Sequence, residues 1–169
     1  NYLLCCMVLG LMALGAAVRA MNAGLACPDW PLCFGQWIPD YDPQVYFEFI
    51  HRVVAGLVSA VFMVFLALAW RQPLVRARLK YWPALAIMLL GAQIALGALT
   101  VFKRLHVATV TLHLLLALGF YASLVWMYHR LNEARDKSNT LLENPAPPVT
   151  FQLVMALLSG LLLGQISLG

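Results

Sequence analysis

The stretch EFIHR, residues 48–52, puts a carboxylate, an imidazole and a guanidinium within about one helical turn. Glu48, His51 and Arg52 stand at i, i+3 and i+4, so a helix carries all three on one face. A neutral imidazole is a metal ligand. A carboxylate beside it can act as an acid, a base or a charge stabiliser, and a guanidinium suits the pairing of carboxylates. A second imidazole, His113, stands in TLHLLLAL (111–118). Upstream, CPDWPLC (27–33) encloses an acid, a tryptophan and two prolines between two cysteines.

The elements that must position these residues are read from composition. Of 169 residues 63% are apolar and only 11% charged, far from the balance of a soluble domain. Five uncharged apolar stretches, Tyr2–Val18, Val53–Trp70, Tyr81–Phe102, Val107–Tyr128 and Val149–Gly169, are each long enough to cross a hydrocarbon core of about 30 Å as helices. The sequence predicts an all-α polytopic membrane protein: a four-helix bundle of two helix-pair repeats (1–130), a linker (131–148) and a fifth span (149–169). The first stretch lacks a basic leader and a small-residue cleavage site, so it reads as a span and not a removed signal.

Basic residues set the orientation. RQPLVRARLK (71–80) carries four Lys/Arg and HRLNEARDK (129–137) three, whereas the loop 20–46 carries Asp29, Asp40 and Asp42 and no Lys or Arg. The positive-inside rule puts the basic segments in the cytoplasm and CPDWPLC outside, where thiols are oxidised. Cys27 and Cys33 can close a small disulfide ring; free or redox-cycling thiols are the alternative. A zinc site would need about four ligands, and this loop has no His and no other Cys. Cys5 and Cys6 read as packing residues of the first span. The expected partner is membrane lipid and not nucleic acid.

The second and fourth spans both run inward from the outer face. A helix opening near Gln44 places His51 about 10 Å in, and one opening at Val107 places His113 about 9 Å in. Ionisable residues are costly at membrane depth and are functional there by default. Two depth-matched histidines are the arrangement by which a bis-histidine site holds the iron of one heme; a purely structural polar pair is the competing reading. Ala55 and Ser59 below His51, and Thr109 and Ala117 beside His113, leave room for a flat ring. His106 reads as a propionate or substrate contact, and His129 as solvated. Arg52, Lys103 and Arg104, with Arg19, gather near the outer face against the topological bias, as an anion such as a propionate would require. Simple tolerance of basic residues in short turns would account for Lys103 and Arg104, and Glu48 could serve only to neutralise Arg52.

LMALGAAV (11–18), QIALGALT (93–100) and GQISLG (164–169) each place Leu-Gly near the outer end of an odd-numbered span. Small residues there let helices approach closely, and the echo marks a repeated helix pair. The fifth span then opens a further repeat, and the chain is expected to be a fragment of a longer protein; halves assembling as a homo-oligomer is the alternative.

GLACPDWPLCFGQWIP, EFIHR, LGALTVFKRLH and TLHLLLAL, in that order and spacing, resemble heme A synthase from about Ala16 to Leu118. The resemblance implies eight spans in two halves with two histidines each, in a bacterial cytoplasmic or mitochondrial inner membrane. It implies oxidation of a methyl group of heme O to the formyl of heme A, the cofactor of terminal oxidases. His51 and His113 would ligate the iron of the substrate heme, Glu48 would take the place of an essential carboxylate, and Cys27 and Cys33 that of an extracytoplasmic pair. It further implies heme O synthase as donor, an electron donor that the sequence does not identify, and heme B in a second half whose histidine pair is absent here. A b-type electron-transfer or heme-carrier protein would use the histidines alike without needing Glu48. A quinone-linked thiol oxidase would need two redox pairs where one faces outward.

Overall fold

A computed structural model describes residues 2–139, and every regular element there is helical. In chain order the helices are α1 (Tyr2–Ala20), α2 (Pro43–Trp70), α3 (Pro73–Leu79), α4 (Trp82–Phe102) and α5 (Val107–Asn139). Four of them, α1, α2, α4 and α5, are long and apolar enough to cross a membrane, and the protein is a multi-pass membrane protein. The fifth apolar stretch, 149–169, lies outside the described residues. The chain up to Arg130 forms one compact unit, and Leu131 opens a second, of which the helical run to Asn139 is described.

Local chemistry sets where the helices start and stop. The carboxylate of Asp42, in extended conformation, accepts from the N–H groups of Gln44 at 2.9 Å and Val45 at 3.1 Å. Pro43 follows at the position where its missing N–H costs nothing. The cap starts α2 ten residues ahead of its uncharged stretch, and those ten residues include Glu48, His51 and Arg52. The basic segment after α2 is itself a short helix, α3, opened by Pro73 and ended at Lys80, whose φ is 42°. A left-handed pair, Arg104 (φ 48°) and Leu105 (φ 56°), turns α4 into α5.

Packing separates two faces of α2. Glu48, Val58, Phe62 and Leu66 are buried, whereas Val53, Leu57, Val64 and Leu68 are exposed. At 100° per residue these sets fall on opposite sides of the helix, so the second is the lipid stripe. Phe62 meets Phe120 of α5 edge to face, with ring centroids 5.2 Å apart. Toward the basic end Trp82 of α4 stacks on Trp126 of α5 at 3.9 Å, with the Arg130 guanidinium over the same indole at 4.8 Å. At the other end the loop after α1 rests on the α4–α5 turn: a Cβ at Gly24 would stand 3.3 Å from Leu105. The two repeats therefore share one end of the bundle, and Trp37, Tyr41 and Tyr81 lie exposed at its two ends as interfacial aromatics do.

The Asp42 cap yields a test. Asp42→Ala should lower stability by about 1 kcal/mol, read as the thermal unfolding midpoint of the detergent-solubilised protein, with Asp42→Asn closer to the parent.

Candidate functional site

The loop before α2 is fixed at several points. Cys27 and Cys33 form a disulfide, and both are fully buried. Cys33 and Gln36 exchange backbone hydrogen bonds across a two-residue turn in which Phe34 (φ 55°) and Gly35 (φ 70°) are left-handed. Glycine takes that conformation freely; phenylalanine does not. Asp29 holds the turn, its carboxylate accepting from Phe34 N–H at 2.7 Å and Gly35 N–H at 2.8 Å. The Gly35 bond first, and the Phe34 bond with it, keep the Asp29 carboxyl below the usual carboxylate range.

This loop is fastened to α2 by the two charged members of EFIHR, Glu48 and Arg52. Glu48 is 4% exposed. One of its oxygens accepts from Cys27 N–H at 2.9 Å, and the other from Arg52 Nη2 at 2.5 Å. Arg52 donates through Nη1 to the carbonyls of Asp29 and Leu32, both at 2.7 Å, and through Nη2 to that of Cys27 at 3.4 Å. A buried ion pair holds only if its remaining donors and acceptors are also met, and here the loop backbone meets them. The Arg52 Nε–H has no partner among the described residues.

His51, one helical position from Arg52, turns its ring toward α1. A Cβ built at Gly15 would stand 3.1 Å from His51 Cε1. The second repeat does the same: a Cβ at Gly97 of α4 would stand 3.2 Å from His113 Cε1 on α5. Ordinary carbon contacts lie at about 3.5–4.0 Å, so each ring occupies the space that glycine leaves. These are the glycines of LMALGAAV and QIALGALT; the sequence shows the echo, but nothing in it tells that each glycine faces a histidine.

Three buried side-chain polar atoms lack a hydrogen-bond partner among the described residues: His51 Nδ1, His113 Nδ1 and Gln93 Oε1. Leaving such atoms unpaired costs about 1–3 kcal/mol each, and their gathering at the paired rings fits a group received there. Among the described residues no three His, Cys, Asp or Glu side chains converge as a bare metal ion would need. A heme, which brings most of its iron's ligands itself, would need only His51 and His113 from this chain. Gln93, which the sequence reading passed over, stands 3.3 Å from His113 through its amide nitrogen.

The remaining candidates sit on the α4–α5 turn. Lys103, Arg104 and His106 are exposed there, and their side chains make no hydrogen bond or ion pair among the described residues. The His106 carbonyl accepts from Thr109 Oγ1 at 2.7 Å and anchors the first turn of α5.

Comparison with known proteins follows the same residues. The chain matches the COX15-CtaA family, described as cytochrome oxidase assembly protein, over residues 1–45 and 40–169. It is 31% identical to heme A synthase of Shewanella oneidensis over 94% of this chain and 51% of that one. It is 40% identical to heme A synthase of Symbiobacterium thermophilum over 68% of this chain and 37% of that one. It is also 35% identical to protoheme IX farnesyltransferase 1 of Natronomonas pharaonis, over 82% of this chain and 30% of that one. The chain thus spans about half the length of the first of these relatives and less of the others. No solved structure matches it. With family motif, paired histidines and disulfide loop together on one helical scaffold, the chain belongs to the COX15-CtaA family of cytochrome oxidase assembly proteins.

Proposed function

We propose that this chain is the substrate-binding half of a heme A synthase-type oxidoreductase, which oxidises the methyl group of heme O to the formyl of heme A. One observation carries the reading: two histidines in corresponding places of a repeated helix pair, each ring seated on a glycine with a buried nitrogen unspent. His51 and His113 would hold the heme iron, and the bound heme would supply the methyl group to be oxidised. Around it this chain's residues bind and shape. Gly15 and Gly97 give the rings room, and the helix face of Val58 and Phe62 closes the site below. Lys103, Arg104 and His106, with no side-chain partners among the described residues, are the groups open to propionates, and Arg52 has one N–H left for the same purpose. A b-type heme in the other half follows from the family pattern alone.

The disulfide loop is placed on the outer face of the cytoplasmic or inner mitochondrial membrane. Support comes from the basic α3, which joins α2 and α4 at the end opposite the loop. Heme O synthase is the proposed donor. A segment like this chain makes up 30% of the Natronomonas protein named as a protoheme farnesyltransferase, which supports the two activities working side by side.

A second reading, a heme carrier or b-type cytochrome, is favoured by one fact: both Glu48 oxygens already have partners in the protein. Glu48→Gln separates the two. It keeps an acceptor for Cys27 N–H but gives up the charge facing Arg52, so activity is read beside stability: lost heme A formation with heme still bound and the unfolding midpoint unchanged marks a catalytic Glu48, and loss that only tracks a lowered midpoint marks a structural one. Glu48→Ala breaks the buried pair and should destabilise the protein by about 3–5 kcal/mol.

The heme site itself is tested by absorption spectra of the protein loaded with heme. His51→Leu and His113→Leu should each abolish the six-coordinate spectrum. Unchanged spectra in both variants would exclude the ligand assignment. Gly15→Ala and Gly97→Ala should shift the same bands, whereas Gly56→Ala and Gly91→Ala, where a Cβ meets nothing within 4 Å, should not. In intact cells a membrane-impermeant maleimide should label Cys27 and Cys33 from outside only after reduction; labelling without reduction would contradict the disulfide.

A further inference from the structure

The two histidine seats are built alike and then made unequal. Aligning LMALGAAV (11–18) with QIALGALT (93–100) on their glycines superposes Gly15 on Gly97 and Leu11 on Gln93. In the second repeat the amide of Gln93, one helical turn before the glycine, reaches the Nε2 of His113 at 3.3 Å. In the first repeat the same place is an apolar leucine, and the His51 ring has no hydrogen-bond partner among the described residues.

We propose that Gln93 is a positioning residue that makes His113 the exchangeable ligand of the pair. An amide N–H on Nε2 requires the lone pair there and the proton on Nδ1, the tautomer that can ligate through Nε2. Gln93 thus holds the ring in the form that would ligate iron, and would compete with a bound heme for the same lone pair, whereas His51 would meet no such competitor. With the His113 ring off the metal, Gln93 would keep its nitrogen from being buried and unpaired, which would otherwise oppose release. A heme that must be taken up and handed on needs one such ligand, and a permanently held heme does not.

The inference rests on the heme reading above, and the test separates the two. The full chain in detergent is titrated with hemin, reduced, and titrated with carbon monoxide, which displaces the weaker axial ligand. Gln93→Leu, which installs the residue of the first repeat, should reduce carbon monoxide affinity about fivefold, the worth of one hydrogen bond, with the six-coordinate spectrum retained. Gln93→Met keeps the length without the donor and should act in the same direction if the leucine variant does not fold. Leu11→Gln should do the reverse, giving His51 a competitor and raising carbon monoxide affinity. Parental affinity in both Gln93 variants, with heme bound normally, would overturn the role of Gln93 and leave the heme site standing. Failure of the parent chain to bind hemin would overturn the heme site and this inference with it.

Discussion

The buried pair of Glu48 and Arg52 is the interaction on which the disulfide-loop end of the molecule depends. Placed near a bilayer, two opposite charges attract strongly but lose their hydration, and such a pair is stable only when its other hydrogen-bonding groups are also satisfied. Helix α2 alone cannot do this, because its backbone is already spent on itself. The polypeptide just upstream does it, through the N–H of Cys27 and the carbonyls of Cys27, Asp29 and Leu32. In return the loop gains a fixed position. Its disulfide and the Asp29 turn make it rigid internally, and the ion pair attaches that rigid body to α2 within one helical turn of His51.

Below this collar the architecture is governed by space and not by charge. A repeat that puts glycine opposite histidine twice solves a specific problem: an imidazole is wide, and two apolar helices held apart by it would leave gaps that side chains pack poorly. Removing the Cβ from the facing helix lets the helices close around the ring, as small residues do at membrane helix contacts. Three other glycines of the spans differ. Gly10, Gly56 and Gly91 face open space and have no ring to accommodate, so it is the pairing with histidine, and not glycine as such, that the repeat preserves.

Much of this was legible in the sequence, for physical reasons. The spans follow from uncharged length, and the matching depth proposed for His51 and His113 comes from counting residues inward from the helix starts. The Asp42-Pro43 cap justifies that count for α2, since it puts the helix start one residue from Gln44. The disulfide followed from spacing and compartment. What was not legible is which atoms the polar residues face. Arg52 suggested an anion; in the structure it pairs with the Glu48 carboxylate and also donates to backbone carbonyls, which every residue carries and no motif marks. Gln93 sits mid-span in an apolar run, and only the folded pair of α4 and α5 brings it to a histidine twenty positions away. Gly15 and Gly97 were visible as an echo but not as seats, because a missing side chain has no signature of what fills its place.

The surroundings of the disulfide bear on which chemistry this loop serves. A thiol oxidase must present a sulfur to its substrate and relay electrons to a second pair. Here Cys27 and Cys33 are 0% and 1% exposed, and the remaining described cysteines, Cys5 and Cys6, lie on α1 near its start, toward the other end of the bundle. Cys27 is also tied at its N–H to Glu48, at its carbonyl to Arg52 and at its sulfur to Cys33. Opening the disulfide would leave the two backbone links in place but remove the brace that keeps Asp29 and Leu32 in reach of Arg52. The bond therefore acts on the ion pair beside His51 more directly than on anything outside the protein. That is the behaviour expected of a structural brace and not of a redox relay.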